Sequence, residues 1–557
     1  MKKTIFTTMM LMAFAAQAQE VFEPFGFIQH EAAFQSIPCH VLPTFNQDSL
    51  LKEDTRTEEM GGRTNIGRLI FLHQDQTQLG QWRTLSNGDR IWQYRFRTAQ
   101  AKGVCVYFEN LHLPEGGMLT LYPVNRSYFV GPFTSEDCNA HGHFMAGEVG
   151  GDEAILEYYQ PAGVVGEASI GMKAISHMYR YVYADRDMDP TQNRASDFCE
   201  VDIKCPEGDD WVDEKNSVVR LLIVEGNLQG YCSGAMVNTT AMDCRKYLLT
   251  ALHCGETVTD ADWLSCSVRF NYQRSGCGTG ISTTTNNRVG VYHLADSQDG
   301  GGSTGSDFLL LELEDDIPAN YNVYFAGWSA DAVTPADVVG IHHPAGDVKK
   351  ISKATNVVSS TWQAPGNHWK VVWMQTETNW GVTEGGSSGS PIFDQNHKIV
   401  GHLTGGSSFC DSPSQPDFYG KLDKDWDDNP NPASQELKVW LDPGNTGLTN
   451  MLGTYNNPNA VLPCDPAQAN AVQEIQFHDV VIAPAICDAS TRVTIDRFQS
   501  VESIRLFDST GRLMNQWKMF GNSLSIDTQT LSPGTYFITC VQNAGAHITK
   551  KLVVVHP

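Results

Sequence analysis

The run Gly386-Ser387-Ser388-Gly389-Ser390-Pro391 restricts what this chain can fold into more than any other stretch. Glycines on both sides of Ser388 permit a tight turn and leave main-chain N–H groups open to an approaching carbonyl. A serine hydroxyl is a weak nucleophile at neutral pH and needs a base beside it. The charge that grows on an attacked carbonyl needs N–H donors aimed at it, and those of Gly386 and Ser388 are the candidates. Glycine–serine loops are common in proteins, so this reading requires the rest of the fold to deliver a base.

Two other stretches supply candidates. Tyr247-Leu-Leu-Thr-Ala-Leu-His253-Cys254-Gly255 is an apolar strand ending in a histidine beside a cysteine, and Ser306-Asp307-Phe308 leads an aspartate into a buried apolar run ending at Leu313. Their order, His253, Asp307, Ser388, is the chain order of chymotrypsin-like enzymes, and differs from the subtilisin and α/β-hydrolase orders. Cys232, in Gly230-Tyr-Cys-Ser-Gly234, stands upstream to bridge Cys254. In this arrangement His253 is the base and Asp307 orients it.

These words belong to a wider pattern. Cys205-Pro-Glu-Gly208, Phe270-Asn-Tyr-Gln273, Ser306-Asp-Phe308, Ala326-Gly-Trp328, Ile341-His-His-Pro344, Gly381-Val-Thr-Glu384, the Ser388 loop and Trp440-Leu-Asp-Pro443 are all present. Through them the segment from Cys199 to Gly447 resembles the bacterial lysyl endopeptidases of the Achromobacter protease I type. The resemblance implies an all-β, trypsin-like double β-barrel. It also implies disulfides Cys199–Cys410, Cys205–Cys277 and Cys232–Cys254, with Cys244 and Cys266 left over as an expected fourth pair. Trypsin places a specificity aspartate six residues before its serine, and that position here is Val382. The lysyl endopeptidases use a later Asp-x-Tyr-Gly word, which matches Asp417-Phe-Tyr-Gly420, so Asp417 is the expected receiver of a basic side chain. The family's histidine two residues before a Gly-Gly pair falls on Thr404, and its tryptophan falls at Trp362. Leu403 to Gly405 is the expected strand edge for the substrate backbone. The implied activity is a serine endopeptidase cutting after basic residues, lysine preferred. The alternatives are an arginine-preferring or dual enzyme and, in another class, a catalytically silent binding protein on a protease fold. Trypsin's zymogen aspartate directly before the nucleophile is replaced by Ser387, so activation is expected from removal of an N-terminal block and not from a new internal ion pair.

At 557 residues the chain is too long for one core, and about three domains are expected. Residues 1–18 read as a signal peptide, with Lys2 and Lys3, an apolar stretch and Ala16-Gln-Ala18 as the cleavage site. Residues 19–194 show short alternating strand patterns between glycine and proline turns and no catalytic set, which suits a β-rich propeptide. Processing is expected after Arg194, with Ala195 as the new first residue and Arg180 and Arg186 as the alternatives. The protease domain is assigned to 195–455, a proline- and asparagine-rich linker to 456–474, and a final domain to 475–557. In that last part Asp508-Ser-Thr-Gly-Arg512, Leu531-Ser-Pro-Gly-Thr-Tyr536 and the lysine-led last strand resemble the β-sandwich sorting domain of the type IX secretion system.

Exported chains with many cysteines, here fourteen, favour disulfides over metal sites. The formal net charge of −25 excludes a nucleic-acid footprint. The expected partners are protein and peptide substrates and the secretion machinery. No stretch reaches transmembrane length, a monomer is expected, and no cofactor or metal is called for. His342-His343 lacks ligand partners at metal spacing, and Asp423 to Asn429 lacks the glycine and glutamate of a calcium loop. The protein is expected outside the cell, secreted or surface-attached.

Overall fold

The computed structural model describes residues 23–28, 37–59, 63–72, 79–139, 141–180, 196–280, 286–299, 305–362, 365–427 and 432–456, and strands between 481 and 554. The expected signal peptide, the processing residues Arg194 and Ala195, and all but the start of the linker lie outside them.

Within 196–456 two barrel-like sheets carry the all-β architecture. The first runs in the order Asn287–Val289, Ser267–Arg269, Val218–Glu225, Leu228–Met236, Tyr247–Ala251, Phe308–Leu313, Val291–Asp296. Its leading hairpin turns at Gly226-Asn227, and Gly226 takes the positive φ, 57°, that a two-residue turn demands at its first position. Gly290, also left-handed, joins the two ends of the path, so the sheet curls back on itself. The second sheet runs Lys350–Thr355, Asp337–His342, Pro391–Asp394, Ile399–Gly406, Asp417–Lys421, His368–Val371, Val358–Ser359. A bridge between Ala354 and Trp373 brings its far sides together. Leu310, Phe308 and Ala295 from the first sheet pack with Ile341, Phe393 and Ile399 from the second in one apolar cluster, which fixes the barrels against each other.

The N-terminal region holds a six-stranded sheet and four further strands, with a 13-residue helix, Gln47–Glu59, that strand patterns alone did not announce. Those four strands do not form a separate sheet. Asn65–Phe71 pairs antiparallel with Leu228–Met236, so the block extends the first barrel into one eleven-stranded sheet. Ile66, Leu69, Tyr107, Met145 and Met178 of the block share a single buried cluster with Leu221, Ile223, Leu248 and Leu311 of the barrel.

A buried ionic contact pins the same junction. Glu148 of the block accepts both oxygens' worth of bonds from Arg220 Nη2, at 2.7 and 2.8 Å, one from Arg269 Nη1 at 2.8 Å, and one from Tyr231 Oη at 2.7 Å. Burial alone would raise its carboxyl, but the two guanidinium groups outweigh that and hold it down at about 2. A depressed carboxyl stabilises the folded form above the 4.5 of a free glutamate, and that contribution is lost as pH falls through about 2. Glu148→Gln leaves two buried arginines without their carboxylate, at a cost of about 3–5 kcal/mol. The expected result is a lowered Tm of the full chain and earlier proteolysis of the block, both readable by thermal melts and limited digestion.

Among the described residues the disulfides Cys199–Cys410, Cys205–Cys277 and Cys232–Cys254 are formed. The expected Cys244–Cys266 bridge is not. Cys266 is a free thiol inside the first barrel's core, with its sulfur 3.3 Å from Val224 N. Cys244 is itself disulfide-bonded, and not to Cys266. The two flank neighbouring runs in sequence, but the strand after Cys266 pairs with Val218–Glu225, and two strands then separate it from Tyr247–Ala251.

At the C-terminus a three-stranded sheet, Val481–Ala483, Arg492–Asp496 and Ser523–Asp527, accompanies a five-stranded one that includes Val501–Asp508, Gly534–Gln542 and His547–Val554. Ile504, Leu506, Ile538 and Leu552 bury the alternate positions of the larger sheet.

Candidate active site

The pairing of Tyr247–Ala251 with Phe308–Leu313 sets Ala251 opposite Phe308, so the residues just beyond each strand end meet. Asp307 lies there with a φ of 67°, a left-handed conformation that costs a non-glycine residue about 1–2 kcal/mol. Leu252 N donating to Asp307 O at 2.7 Å and Asp307 N donating to Asp299 Oδ2 at 3.1 Å hold it in place. Asp307 Oδ2 is 2.8 Å from His253 Nδ1, and Oδ1 accepts from His253 N at 2.9 Å. Burial is complete and by itself raises the Asp307 carboxyl, yet the imidazole and the hydrogen bonds from His253 hold it below the ordinary carboxylate range. An ionised carboxylate on Nδ1 leaves Nε2 as the working nitrogen of the ring.

The serine loop reaches this pair because of glycine. A Cβ at Gly389, where φ is 78°, would lie 2.6 Å from Ser233 O and 2.8 Å from Ala251 N. Its absence lets the loop lie on the strand that ends in His253. Ser233 N donates to Ser388 O at 2.8 Å, and Ser233 Oγ donates to Gly386 O at 2.9 Å. Ser388 is half-buried, and among the described residues no hydrogen bond joins its hydroxyl to His253. Ala345 N donates to Gly385 O at 2.6 Å and Ser390 N to Ser387 O at 2.9 Å. In a trans peptide the N–H opposes the carbonyl, so the N–H groups of Gly386 and Ser388 point away from those anchors. Among the described residues neither is given to a protein acceptor.

Ser387, fully buried, is held from both sides of the loop. Its Oγ lies 2.8 Å from His342 Nδ1, and His342 Nε2 lies 3.0 Å from Ser352 Oγ. Burial holds His342 down at about 3, so the ring is neutral and both its nitrogens are committed. His343 Nδ1 bonds Asp347 O at 2.8 Å, so the two histidines do not converge on one point. The acidic turn after Leu422 is a short helix, Leu422–Trp426, whose acids diverge. Asp425 turns inward to His402 Nε2 at 3.0 Å, and Asp427 pairs with Lys438 at 2.6 Å.

Asp417 sits at the start of the strand Asp417–Lys421 and is fully buried. Its Oδ2 accepts from Trp373 Nε1 and Ser408 Oγ, both at 2.6 Å, and from Thr383 Oγ1 at 2.7 Å. Among the described residues Oδ1 accepts only Ser408 N, at 3.1 Å, and so keeps capacity for a further donor. Burial raises the carboxyl, and these donors offset part of the rise. The pairing of Gly405 with Phe418 and of Gly406 with Asp417 brings the expected strand edge beside it. A Cβ at Gly405 would meet open space. Gly389 N donates to Leu403 O at 2.8 Å, tying this wall to the serine loop.

Trp362 stacks on Phe418 with ring centres 4.5 Å apart and stands edge-on to His368 at 5.2 Å. His368 Nε2 lies 3.2 Å from Thr404 Oγ1. An imidazole therefore does stand against Trp362, but it comes from the strand His368–Val371, which Asp417–Lys421 separates from the threonine's own strand. Burial holds it down at about 4, hence neutral. In the sequence His368 carries no signal beyond its place in the strand His368–Val371.

Residues 193–420 match the family model of the lysyl endopeptidase C-terminal domain, and residues 489–555 match the secretion system C-terminal sorting domain. A lysyl endopeptidase of Pseudomonas aeruginosa is 28% identical over 298 residues, which cover 50% of this chain and 61% of that protein. This chain thus spans about three-fifths of the length of that curated relative. Among solved structures, a thermostable serine protease AL20 from an extremophilic microorganism aligns at 13% identity, 38% of this chain, 92% of that chain and a TM-score of 0.28. The active form of the Rv3671c protease of M. tuberculosis aligns at 14% identity, 42% and 88% coverage and a TM-score of 0.25. The chain therefore carries one region similar to the lysyl endopeptidase C-terminal domain and another similar to a secretion-system C-terminal sorting domain, and is a secreted or cell-surface protein.

Proposed function

We propose that the protein is a serine endopeptidase that hydrolyses peptide bonds after basic residues, lysine in preference. The observation that carries this reading is the His253–Asp307 pair, 2.8 Å apart, beneath a serine loop packed on the histidine's own strand. Ser388 attacks the peptide carbonyl while His253 takes its proton and later returns it to the leaving amine. Asp307 holds the ring in the tautomer that exposes Nε2 and stabilises the imidazolium. The N–H groups of Gly386 and Ser388 receive the oxyanion. Asp417 Oδ1 receives the ammonium of the residue before the cut, Leu403 to Gly405 pairs with the substrate backbone, and Trp362 with Thr404 shapes the rim. Digestion of a denatured protein followed by mass spectrometry of the fragments tests this directly. The expected outcome is lysine before nearly every cut; an equal share of arginine would establish dual specificity instead, and neutral residues there would end the proposal.

The 19–194 block acts as a propeptide in this reading. Its strand Asn65–Phe71 and its Glu148 both engage the first barrel, so its departure is the activating step. Edman sequencing of the secreted enzyme is expected to begin at Ala195. A start at any other residue removes Arg194 as the processing site.

A further inference from the structure

The contact between the N-terminal block and the first barrel buries an arginine side chain of the block. Asn65 pairs with Gly230, Gly67 with Gln229 and Arg68 with Leu228, so the block's strand leaves the neighbourhood of Cys232 as its sequence advances. Thr64, one residue earlier, lies against Gly385, next to Gly386 of the serine loop. Arg63 is the residue before that, and its side chain is only 4% exposed. Its Nη1 donates to Cys254 O at 2.7 Å and its Nη2 to Glu225 Oε2 at 2.9 Å. Cys254 follows His253 directly and is bonded to Cys232, so this pocket adjoins the histidine.

The orientation identifies which half of a substrate would use it. Ser388 has the strand Leu403–Gly406 and Asp417 on one hand and Ser233, next to Cys232, on the other. A peptide with its basic residue at Asp417 runs its leaving half past Cys232–Cys254 toward Gly230. The block's strand has that polarity: its N-terminal end is at the serine loop and it runs outward antiparallel to Leu228–Gly230. Gly230 keeps this lane open, because a Cβ there would lie 2.7 Å from Thr64 O and 2.8 Å from Arg63 Cδ. Arg63 therefore sits where a substrate side chain just after the scissile bond would sit.

We infer that Glu225 and the carbonyl of Cys254 form a subsite that selects an arginine or lysine side chain within the first three residues after the cut, and that Arg63 fills it until the block departs. The inference rests on the endopeptidase reading above. Glu225 is the barrel's charged partner for the guanidinium, and Thr257 Oγ1 bonds its other oxygen and holds it in place. Loss of one charge-assisted hydrogen bond of this partly exposed kind corresponds to about tenfold in affinity.

The test uses enzyme obtained from the full chain after the 19–194 block is removed. Peptides carry lysine before the cut and arginine, alanine or glutamate at each of the three positions after it. Within each protein the ratio of kcat/KM for arginine over alanine is the readout, so differences in folding or turnover cancel. The expected ratio is about ten at one position, falling to near one in Glu225→Gln and shifting toward glutamate in Glu225→Lys. The same ratios are read as Kd from peptides with a reduced, uncleavable bond after the lysine. That binding series judges the subsite even if no peptide is cut, while failure to cleave a lysyl anilide, which has no residues after the cut, counts against the endopeptidase reading alone. No arginine preference in the wild type, or an unchanged one in Glu225→Gln, overturns the inference.

Discussion

Ser388→Ala is expected to lower kcat for peptide hydrolysis by about 10⁶-fold while KM changes little. The variant loses only an oxygen from a half-buried side chain that, among the described residues, no hydrogen bond joins to His253, so the fold should be intact. What disappears is the covalent step: without Oγ no acyl-enzyme forms, and only the oxyanion donors and substrate binding remain to accelerate attack by water. A serine-directed fluorophosphonate should label the wild type at Ser388 and leave the variant unlabelled. Substantial peptidase activity in Ser388→Ala would refute the assignment, and a wild type that never takes the label would favour a silent binding protein on this fold.

The second large effect is expected at Asp417. Asp417→Asn removes the negative charge from a site that accepts four protein hydrogen bonds and still has room at Oδ1. A substrate lysine would then bury its ammonium beside a neutral amide, which a site built for a charged partner rejects by about 10⁴–10⁵-fold. The amide also points N–H groups at one of the existing donors, so some stability is lost as well, on the order of 1–3 kcal/mol. The decisive measurement is therefore the ratio of kcat/KM for a lysine peptide over its norleucine analogue, because a general loss of folding moves both together. A ratio that stays high in Asp417→Asn would show that another acid receives the substrate.

The chemistry-bearing words were readable because each is local. A glycine pair around a serine, an apolar strand ending in histidine and an aspartate opening another strand each announce a backbone shape within about ten residues. The structure sets His253 and Asp307 2.8 Å apart through a strand register, Ala251 opposite Phe308, between two near-continuous apolar runs that are both buried. Thr404 illustrates the limit of counting along a chain. The position aligned with the family's histidine is a threonine, yet His368, two strands away across Asp417–Lys421, reaches its hydroxyl and meets Trp362. The missing bridge of Cys266 has the same origin, since proximity in sequence did not survive the order in which the strands pair.

The order of three polar residues, the glycines that let a loop approach, and the composition of an exported, acidic chain were determined by sequence alone. These follow from side-chain chemistry and from which residues tolerate a left-handed backbone. Only the tertiary structure decided that the N-terminal block shares a sheet and a core with the first barrel, that Glu148 fills a socket between Arg220 and Arg269, and that Arg63 lies beside the histidine's turn. Edge-to-edge strand pairing uses N–H and C=O groups that every residue carries, so it leaves no mark on residue identity. Where a buried glutamate meets two arginines from far along the chain, only the folded path brings the charges together.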